Sequence, residues 1–248
     1  NCSPERFLEL LGPRLADPNG TITPDVETNY AKAIDARLKP IGFGWAKDKA
    51  ANVAWEALTE EHGNALKIAF RNAKCKIVTA TPFDYTVLVK YGFVFPWERC
   101  HDLTLLHSRF DIELPHTLAF IASTWTYRKF WKWLSDSEPY YYNCLDCAGE
   151  YEAWDKLYTH CKRSDAEVLR CYEADRKHIR TAVHVHLAGM KLDPEQFKVE
   201  KKMYEVMRDD LQVSLEAAFA KPLPEEPPRC EKHKSYSGRS LLKMRKGE

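Results

Sequence analysis

Two cysteines separated by two residues, Cys144 and Cys147, are the side chains in this sequence best suited to chemistry. A C-x2-C pair can form half of a zinc site, because zinc prefers thiolate and imidazole ligands and usually takes four. His160 and Cys161 follow in a C-x2-C-x12-H spacing, but no further His or Cys completes the pattern. These four residues are therefore a candidate metal site that zinc would occupy. A redox role would need a βαβ context, which the surrounding sequence does not show.

The other cysteines give no second pattern. The chain has eight of them, and spacing alone cannot give their connectivity. Cys161 and Cys171 cannot bond within one helix, because ten positions rise about 15 Å. We expect mostly buried free thiols, and the alternative of some disulfides stays open.

Motifs of several enzyme classes are absent. The sequence lacks G-x-G-x-x-G, G-x-x-x-x-G-K-[ST], G-x-S-x-G and H-E-x-x-H. Asp and Glu are numerous, but Lys and Arg lie near them on predicted helix faces, which is typical of a solvated surface. We therefore predict no catalytic residue, and no cofactor unless zinc binds at the cysteine pair.

An aromatic stretch runs from Leu114 to Trp154 and holds four of the seven Trp. Its uncharged part, 114–127, has fourteen residues, whereas a transmembrane helix needs about twenty. The spacing predicts a helix over about 115–134 that is apolar on more than one side, as in helices packed on several sides. We predict an interface with other subunits, or with a membrane surface, in which Trp125, Trp131 and Trp133 are largely buried. Its predicted residues are Trp125, Tyr127, Phe130, Trp131, Trp133, Tyr140, Tyr141 and Tyr142.

The elements around this stretch are predicted to be mostly helical. Apolar residues at helical spacing predict helices over about 24–38, 47–74, 148–161, 165–188 and 194–220. The β-branched and aromatic residues of 76–95 predict two short strands. The predicted fold class is thus mostly α: an irregular helical body with a helical hairpin at about 148–188, a small β element at about 76–95 and an extended C-terminal arm. The body spans 1–220, with a sub-boundary near 96–114.

The last part of the chain, 221–248, differs in composition. KPLPEEPPR predicts a stiff linker, and a basic arm follows it. The basic residues of the arm are Arg229, Lys232, Lys234, Arg239, Lys243, Arg245 and Lys246. Because the net charge of +1 gives no global field for a polyanion, we favour a protein groove for this arm and place RNA second.

These features together predict a non-catalytic accessory subunit of a large multiprotein assembly, of the respiratory-chain or ATP-synthase type. A removed targeting sequence would explain why the chain begins with Asn1, so we predict a mitochondrial location, with a cytoplasmic one as the alternative. Two other functions stay open: an enzyme with a Cys/His site, and an RNA-binding subunit of an organellar ribosome. The expected partners are other protein subunits, a membrane surface and RNA, in that order.

Overall fold

The computed structural model describes residues 1–29, 33, 35–189 and 193–220. The chain divides into two compact units, Asn1–Gly189 and Met190–Glu248. In the second unit, the helix predicted over 194–220 is present as Pro194–Ala220. The predicted body, 1–220, thus extends into both units, and the predicted basic arm lies outside the described residues.

The first unit is built on a five-stranded sheet with the order β3-β2-β1-β4-β5. Its strands are β1 (Thr21–Thr28), β2 (Leu38–Ala46), β3 (Lys49–Ala54), β4 (Lys76–Thr79) and β5 (Cys100–Asp102). The β1, β2 and β3 strands pair antiparallel, whereas β1, β4 and β5 pair in parallel. The central β1 is therefore the point from which the chain turns to either side of the sheet. In open α/β sheets, ligand sites lie at the carboxyl ends of strands at such a point.

Helices cover both faces of this sheet. The helices of the first unit are α1 (Pro4–Ala16), α2 (Glu60–Arg71), α3 (Pro82–Lys90), α4 (Leu103–Phe110), α5 (Leu118–Trp125), α6 (Pro139–Ser164), α7 (Ala166–Arg176) and α8 (Ile179–Ala188). Short 3-10 helices span Trp55–Ala57, Trp97–Arg99 and Lys132–Leu134. The second unit contains α9 (Pro194–Ala220). Successive residues of β4 point to opposite faces. Ile77 lies in the core with α1, α2, α3 and α8, and Val78 in the core with α4 to α7.

The longest helix of the first unit, α6, packs directly on the sheet because β2 offers it glycines. A Cβ at Gly44 would lie 2.5 Å from the Cys147 carbonyl oxygen, and one at Gly42 would overlap the Asn143 side chain. The Thr23 hydroxyl of β1 donates a 2.7 Å hydrogen bond to the same Cys147 carbonyl. This close approach holds one face of α6 over β1.

The prediction of a mainly helical chain with a small β element is confirmed. The β element is misplaced, however, because 76–95 contributes only β4, and Pro82 begins α3 after its Thr81 cap. The helix predicted over 24–38 is wrong, since β1 and the start of β2 lie there, and the one over 47–74 begins as β3. The hairpin at 148–188 is instead α6, which begins at Pro139, followed by α7 and α8. The aromatic helix ends at Trp125.

The described cysteines are all free thiols, as the sequence led us to expect. Among the described residues, no helix combines the length and apolar character needed to cross a bilayer.

Candidate metal centre

Four carboxylates from three elements meet beside the carboxyl end of β1. Asp25 and Glu27 lie on β1, Asp84 lies in the first turn of α3, and Asp146 lies on α6. Asp25, Glu27 and Asp146 each offer one carboxylate oxygen, and these atoms lie within 4.8 Å of one another. We call these four residues the acidic cluster.

Strand β1 and helix α3 hold three members of the acidic cluster in place. Asp25 and Glu27 are two residues apart on a strand, so their side chains point to the same face. Asp84 Oδ1 accepts a 3.2 Å hydrogen bond from the backbone N–H of Val26, which lies between Asp25 and Glu27. This bond joins α3 to β1. The N-terminal turn of α3 also favours a carboxylate at Asp84 through the helix dipole.

The fourth member, Asp146, is held from α6 and from the segment before it. Its Oδ1 accepts a 2.6 Å hydrogen bond from Trp131 Nε1. Lys132 Nζ lies 2.8 and 2.7 Å from the two Asp146 carboxylate oxygens. One turn earlier on α6, Asn143 Nδ2 donates a 2.6 Å hydrogen bond to Asp25 Oδ2 and links the helix to the strand.

Burial and mutual repulsion make negative charge costly here. Burial first, and then the neighbouring Asp84, raise the pKa of Asp25 well above its usual value. Burial likewise raises the pKa of Glu27 and of Asp84 to about 7 each. Lys132 is a cation against this charge and lowers the pKa of Asp25 and Glu27, but one ammonium does not balance four carboxylates. Such a cluster favours binding of a further cation.

Glu150, one turn after Asp146 on α6, adds to the excess of acid. Its side chain is fully buried, and neither carboxylate oxygen has a hydrogen-bond partner. Burial and then the nearby Asp84 raise its pKa well above the usual value, which favours its neutral form.

Tyr142 lies one turn before Asp146 on α6, and its hydroxyl accepts a 2.8 Å hydrogen bond from Lys132 Nζ. Burial, followed by the charge of Asp146, raises the pKa of this phenol above its usual value. Tyr142 therefore keeps its proton at neutral pH. It can donate a hydrogen bond to a bound molecule, but it is not a base.

The donor set of the acidic cluster suits a hard divalent cation. All of its ligand atoms are carboxylate oxygens, which Mg²⁺ and Mn²⁺ prefer, whereas zinc favours nitrogen and sulfur. The expectation of no cofactor therefore has to be revised, because the described residues contain a site that can hold a metal ion.

The predicted Cys/His site is not assembled. Cys144, Cys147, His160 and Cys161 all lie on α6, and the rise from Cys147 to His160 is about 20 Å. His160 instead packs between the rings of Phe110 and Trp125. Burial raises the pKa of the Cys144, Cys147 and Cys161 thiols, which opposes the thiolate form that a metal requires.

The predicted interface residues divide by exposure. Trp131 is buried beside Asp146 of the acidic cluster. The half-buried residues are Trp125, Tyr140 and Tyr142. The exposed ones are Tyr127, Phe130, Trp133 and Tyr141. Two of these residues, Trp131 and Tyr142, thus belong to the candidate site. Coverage of the exposed rings by another subunit stays a prediction.

Sequence reasoning missed the acidic cluster because a helix was predicted over β1. On a helix Asp25 and Glu27 would point to different sides, whereas on a strand they share a face. The signal was present in the β-branched residues of TITPDVET. On α6, the i, i+4 spacing of Tyr142 and Asp146 places both on one side of the helix.

Comparison with known proteins rests on structure alone. No protein-family model matches the sequence, and no curated protein matches it. The fold is similar to the POL domain of Pol1 from M. smegmatis, solved with DNA primer-template and dNTP, at 15% identity and a TM-score of 0.66; the match covers 99% of this chain and 45% of that one. It is also similar to the Nibbler EXO domain of Aedes aegypti, at 14% identity and a TM-score of 0.52, covering 68% of this chain and 91% of that one.

A further similar structure is NrnC of Brucella melitensis with bound Mg²⁺, at 18% identity and a TM-score of 0.52, covering 71% of this chain and 90% of that one. At these identities the likeness shows the fold alone, and the proteins solved with a similar fold include a POL domain and an EXO domain. The prediction of a membrane-associated, non-catalytic accessory subunit is therefore wrong. The aromatic stretch had suggested a contact surface only, but part of it forms the wall of an acidic site. The mitochondrial location stays a prediction that the fold does not test.

Proposed function

We propose that this chain is a nuclease that uses a divalent metal ion to hydrolyse phosphodiester bonds at the end of a nucleic acid strand. The observation that carries the proposal is the convergence of Asp25, Glu27 and Asp146 within 4.8 Å, with Asp84 beside them. The likeness to an EXO domain and to a protein solved with Mg²⁺ supports a reaction at a strand end that uses that ion.

Each side chain then has a separate task. Asp25, Glu27, Asp84 and Asp146 hold Mg²⁺ or Mn²⁺, in place of the zinc expected from the cysteines. When bound, such an ion supplies a nucleophile from water and stabilises negative charge on the phosphoryl group. Tyr142 keeps its proton and donates a hydrogen bond that orients the attacking water or a phosphate oxygen. Asn143 and Trp131 hold Asp25 and Asp146 in place through their hydrogen bonds.

The reaction adds water across one P–O bond. A water oxygen attacks phosphorus, the bond to the neighbouring nucleotide's oxygen breaks, and that oxygen leaves with a proton. The products are a released nucleotide with a phosphate group and a strand one unit shorter.

The test uses the full chain and short single-stranded DNA and RNA, each labelled at one end or the other. With Mg²⁺ or Mn²⁺ we expect a ladder of products that shortens with time, and no hydrolysis in EDTA. Asp25→Asn and Asp146→Asn should lower kcat by a hundredfold or more, since each removes a charged ligand from the reacting centre (on the order of 3 kcal/mol).

Asp155→Asn is the matched control, because Asp155 lies on the same helix as Asp146 but is exposed. It should hydrolyse the strand at the wild-type rate. No hydrolysis by the wild-type protein with either ion, or full activity in Asp146→Asn, would contradict the proposal.

A further inference from the structure

Exposed aromatic rings lie in the segment 126–134, between α5 and the end of the third 3-10 helix, and this segment contacts the acidic cluster through Trp131 and Lys132. We call it the aromatic segment. Tyr127 is fully exposed (101%), and Phe130 and Trp133 are 66% and 68% exposed. Single exposed apolar residues are common in soluble proteins. Three large rings in so short a stretch are not, and such surfaces mark contact sites.

The aromatic segment is fixed to α6 by the residues between these rings. Arg128 Nε donates a 3.0 Å hydrogen bond to Glu152 Oε2, and Trp131 and Lys132 bind Asp146. The Trp131 ring packs on Gly149, where a Cβ would lie 3.1 Å from it. The segment is thus anchored on both sides of Phe130 and before Trp133, so the backbone that carries these rings is fixed before any ligand arrives.

The charge of the segment complements a polyanion. From Leu114 to Ser135 the sequence has no Asp or Glu, and the segment carries Arg128, Lys129 and Lys132. Arg128 and Lys132 are paired with Glu152 and Asp146. Lys129 is exposed and makes no ion pair within the described part of the chain. The segment therefore carries Lys129, a cation unpaired among the described residues, between Tyr127 and Phe130 in the sequence. The acidic cluster by itself repels phosphate.

We infer that Phe130, Trp133 and Tyr127 stack on unpaired bases of the strand whose last phosphodiester enters the acidic cluster, with Lys129 on the strand's phosphates. Base faces are accessible to such rings only where the strand is unpaired, so the preferred substrate is single-stranded or frayed at its end. This inference rests on the proposed nuclease function and adds to it the part of the substrate that the chain recognises.

The test measures binding of the full chain, with Mg²⁺, to a fluorescent single strand whose phosphorothioate linkages resist hydrolysis. Phe130→Ala and Trp133→Ala should each weaken binding about five- to tenfold, because each removes one stacking ring. Trp133→Phe should keep most of the affinity. Ile112→Ala, which removes a side chain that is 77% exposed outside the segment, should bind like the wild type.

Hydrolysis of an ordinary strand by the same variants separates this inference from the proposed function. We expect Phe130→Ala and Trp133→Ala to raise KM with little change in kcat. Wild-type affinity and wild-type KM in both alanine variants, with the wild type hydrolysing the strand, would overturn the stacking surface alone. A finding that the alanine variants lose self-association or binding to anionic vesicles, but not strand binding, would also overturn it. Absence of hydrolysis in the wild type would instead remove the proposed function.

Discussion

Asp146 binds a lysine and a tryptophan and lies within 4.8 Å of two other carboxylates, so it is the residue on which the candidate site depends most. Lys132 Nζ lies within 2.8 Å of both its carboxylate oxygens, where a metal ion would also bind. A metal ion and the Lys132 ammonium therefore compete for the same atoms. Without metal, the Lys132 ammonium is the ion-pair partner of the Asp146 carboxylate, which is almost fully buried.

Replacement of Lys132 by methionine should therefore have two opposite effects. In EDTA we expect a lower melting temperature, because the buried carboxylate loses its partner at a cost of about 3 kcal/mol. Titration calorimetry with Mn²⁺ should show binding about tenfold tighter than in the wild type, since no ammonium has to be displaced. Lys129→Met, an exposed neighbour, is the control for both readings. Weaker Mn²⁺ binding in Lys132→Met would contradict this competition.

At the scale of elements, the site depends on how closely α6 lies against β1 and β2. Gly42 and Gly44 allow that approach, and the Thr23 hydroxyl fixes it with its bond to Cys147. The sequence shows these glycines, but it does not show what fills the space above them. Helix α9 was predictable, since apolar residues recur at helical spacing along most of 194–220.

The strands were harder to predict for a physical reason. The buried apolar residues of β1 and β2 lie in a single core, and Val26 and Leu38 fall at spacings that also fit a helix. Likewise, Asp84 and Asp146 lie far apart in the chain, and only the parallel pairing of β1 with β4 and the packing of α6 bring them to Asp25. The assembled candidate site was therefore beyond local sequence patterns.

Gly44→Ala tests the packing of α6. The added methyl group would meet the Cys147 backbone and the Thr23 hydroxyl, so we expect a loss of about 1–3 kcal/mol in the free energy of unfolding. Urea denaturation measures this, and hydrolysis should fall as well because Asp146 moves away from Asp25. Gly12→Ala in α1 is the control, since no atom lies within 4 Å of its added Cβ. It should stabilise the protein by about 0.5–1 kcal/mol. Equal stability of the two variants would argue against close packing as the device that sets the site.

For the whole molecule, charge is close to balanced but unevenly placed. The net charge of +1 gives no long-range attraction for a polyanion, so local groups have to provide it. The acidic cluster concentrates negative charge in the first unit, and the aromatic segment places cations next to it. The stability of the first unit should therefore respond to pH and to metal ions at this region.

The raised pKa values set the direction of that response. Glu27 and Asp84 have folded pKa values of about 7, above their usual values near 4. The folded protein then holds protons that the unfolded chain has released, so the free energy of unfolding falls as pH rises from about 4 to about 7. Glu27→Gln and Asp84→Asn remove this cost. In EDTA, each should raise the free energy of unfolding at about pH 8 by on the order of 2 kcal/mol, seen as a higher melting temperature, and change it little at about pH 4.5.

Metal ions should oppose the loss of stability that the wild-type protein shows as pH rises. Mn²⁺ binds the deprotonated carboxylates, so its stabilisation should be larger at about pH 8 than at about pH 5. Differential scanning calorimetry with and without Mn²⁺ measures the difference, and Asp155→Asn should behave like the wild type. Stabilisation by Mn²⁺ that is equal at both pH values would be inconsistent with binding at these carboxylates.

The central claim is that the acidic cluster is a metal centre, and the position of the bound ion tests it most directly. Crystals of the protein grown with Mn²⁺ would be measured near the manganese absorption edge. We predict an anomalous peak in contact with the carboxylates of Asp25, Glu27 and Asp146. A peak at Cys144 and Cys147 instead, or none at the acidic cluster with Mn²⁺ in excess, would contradict the claim.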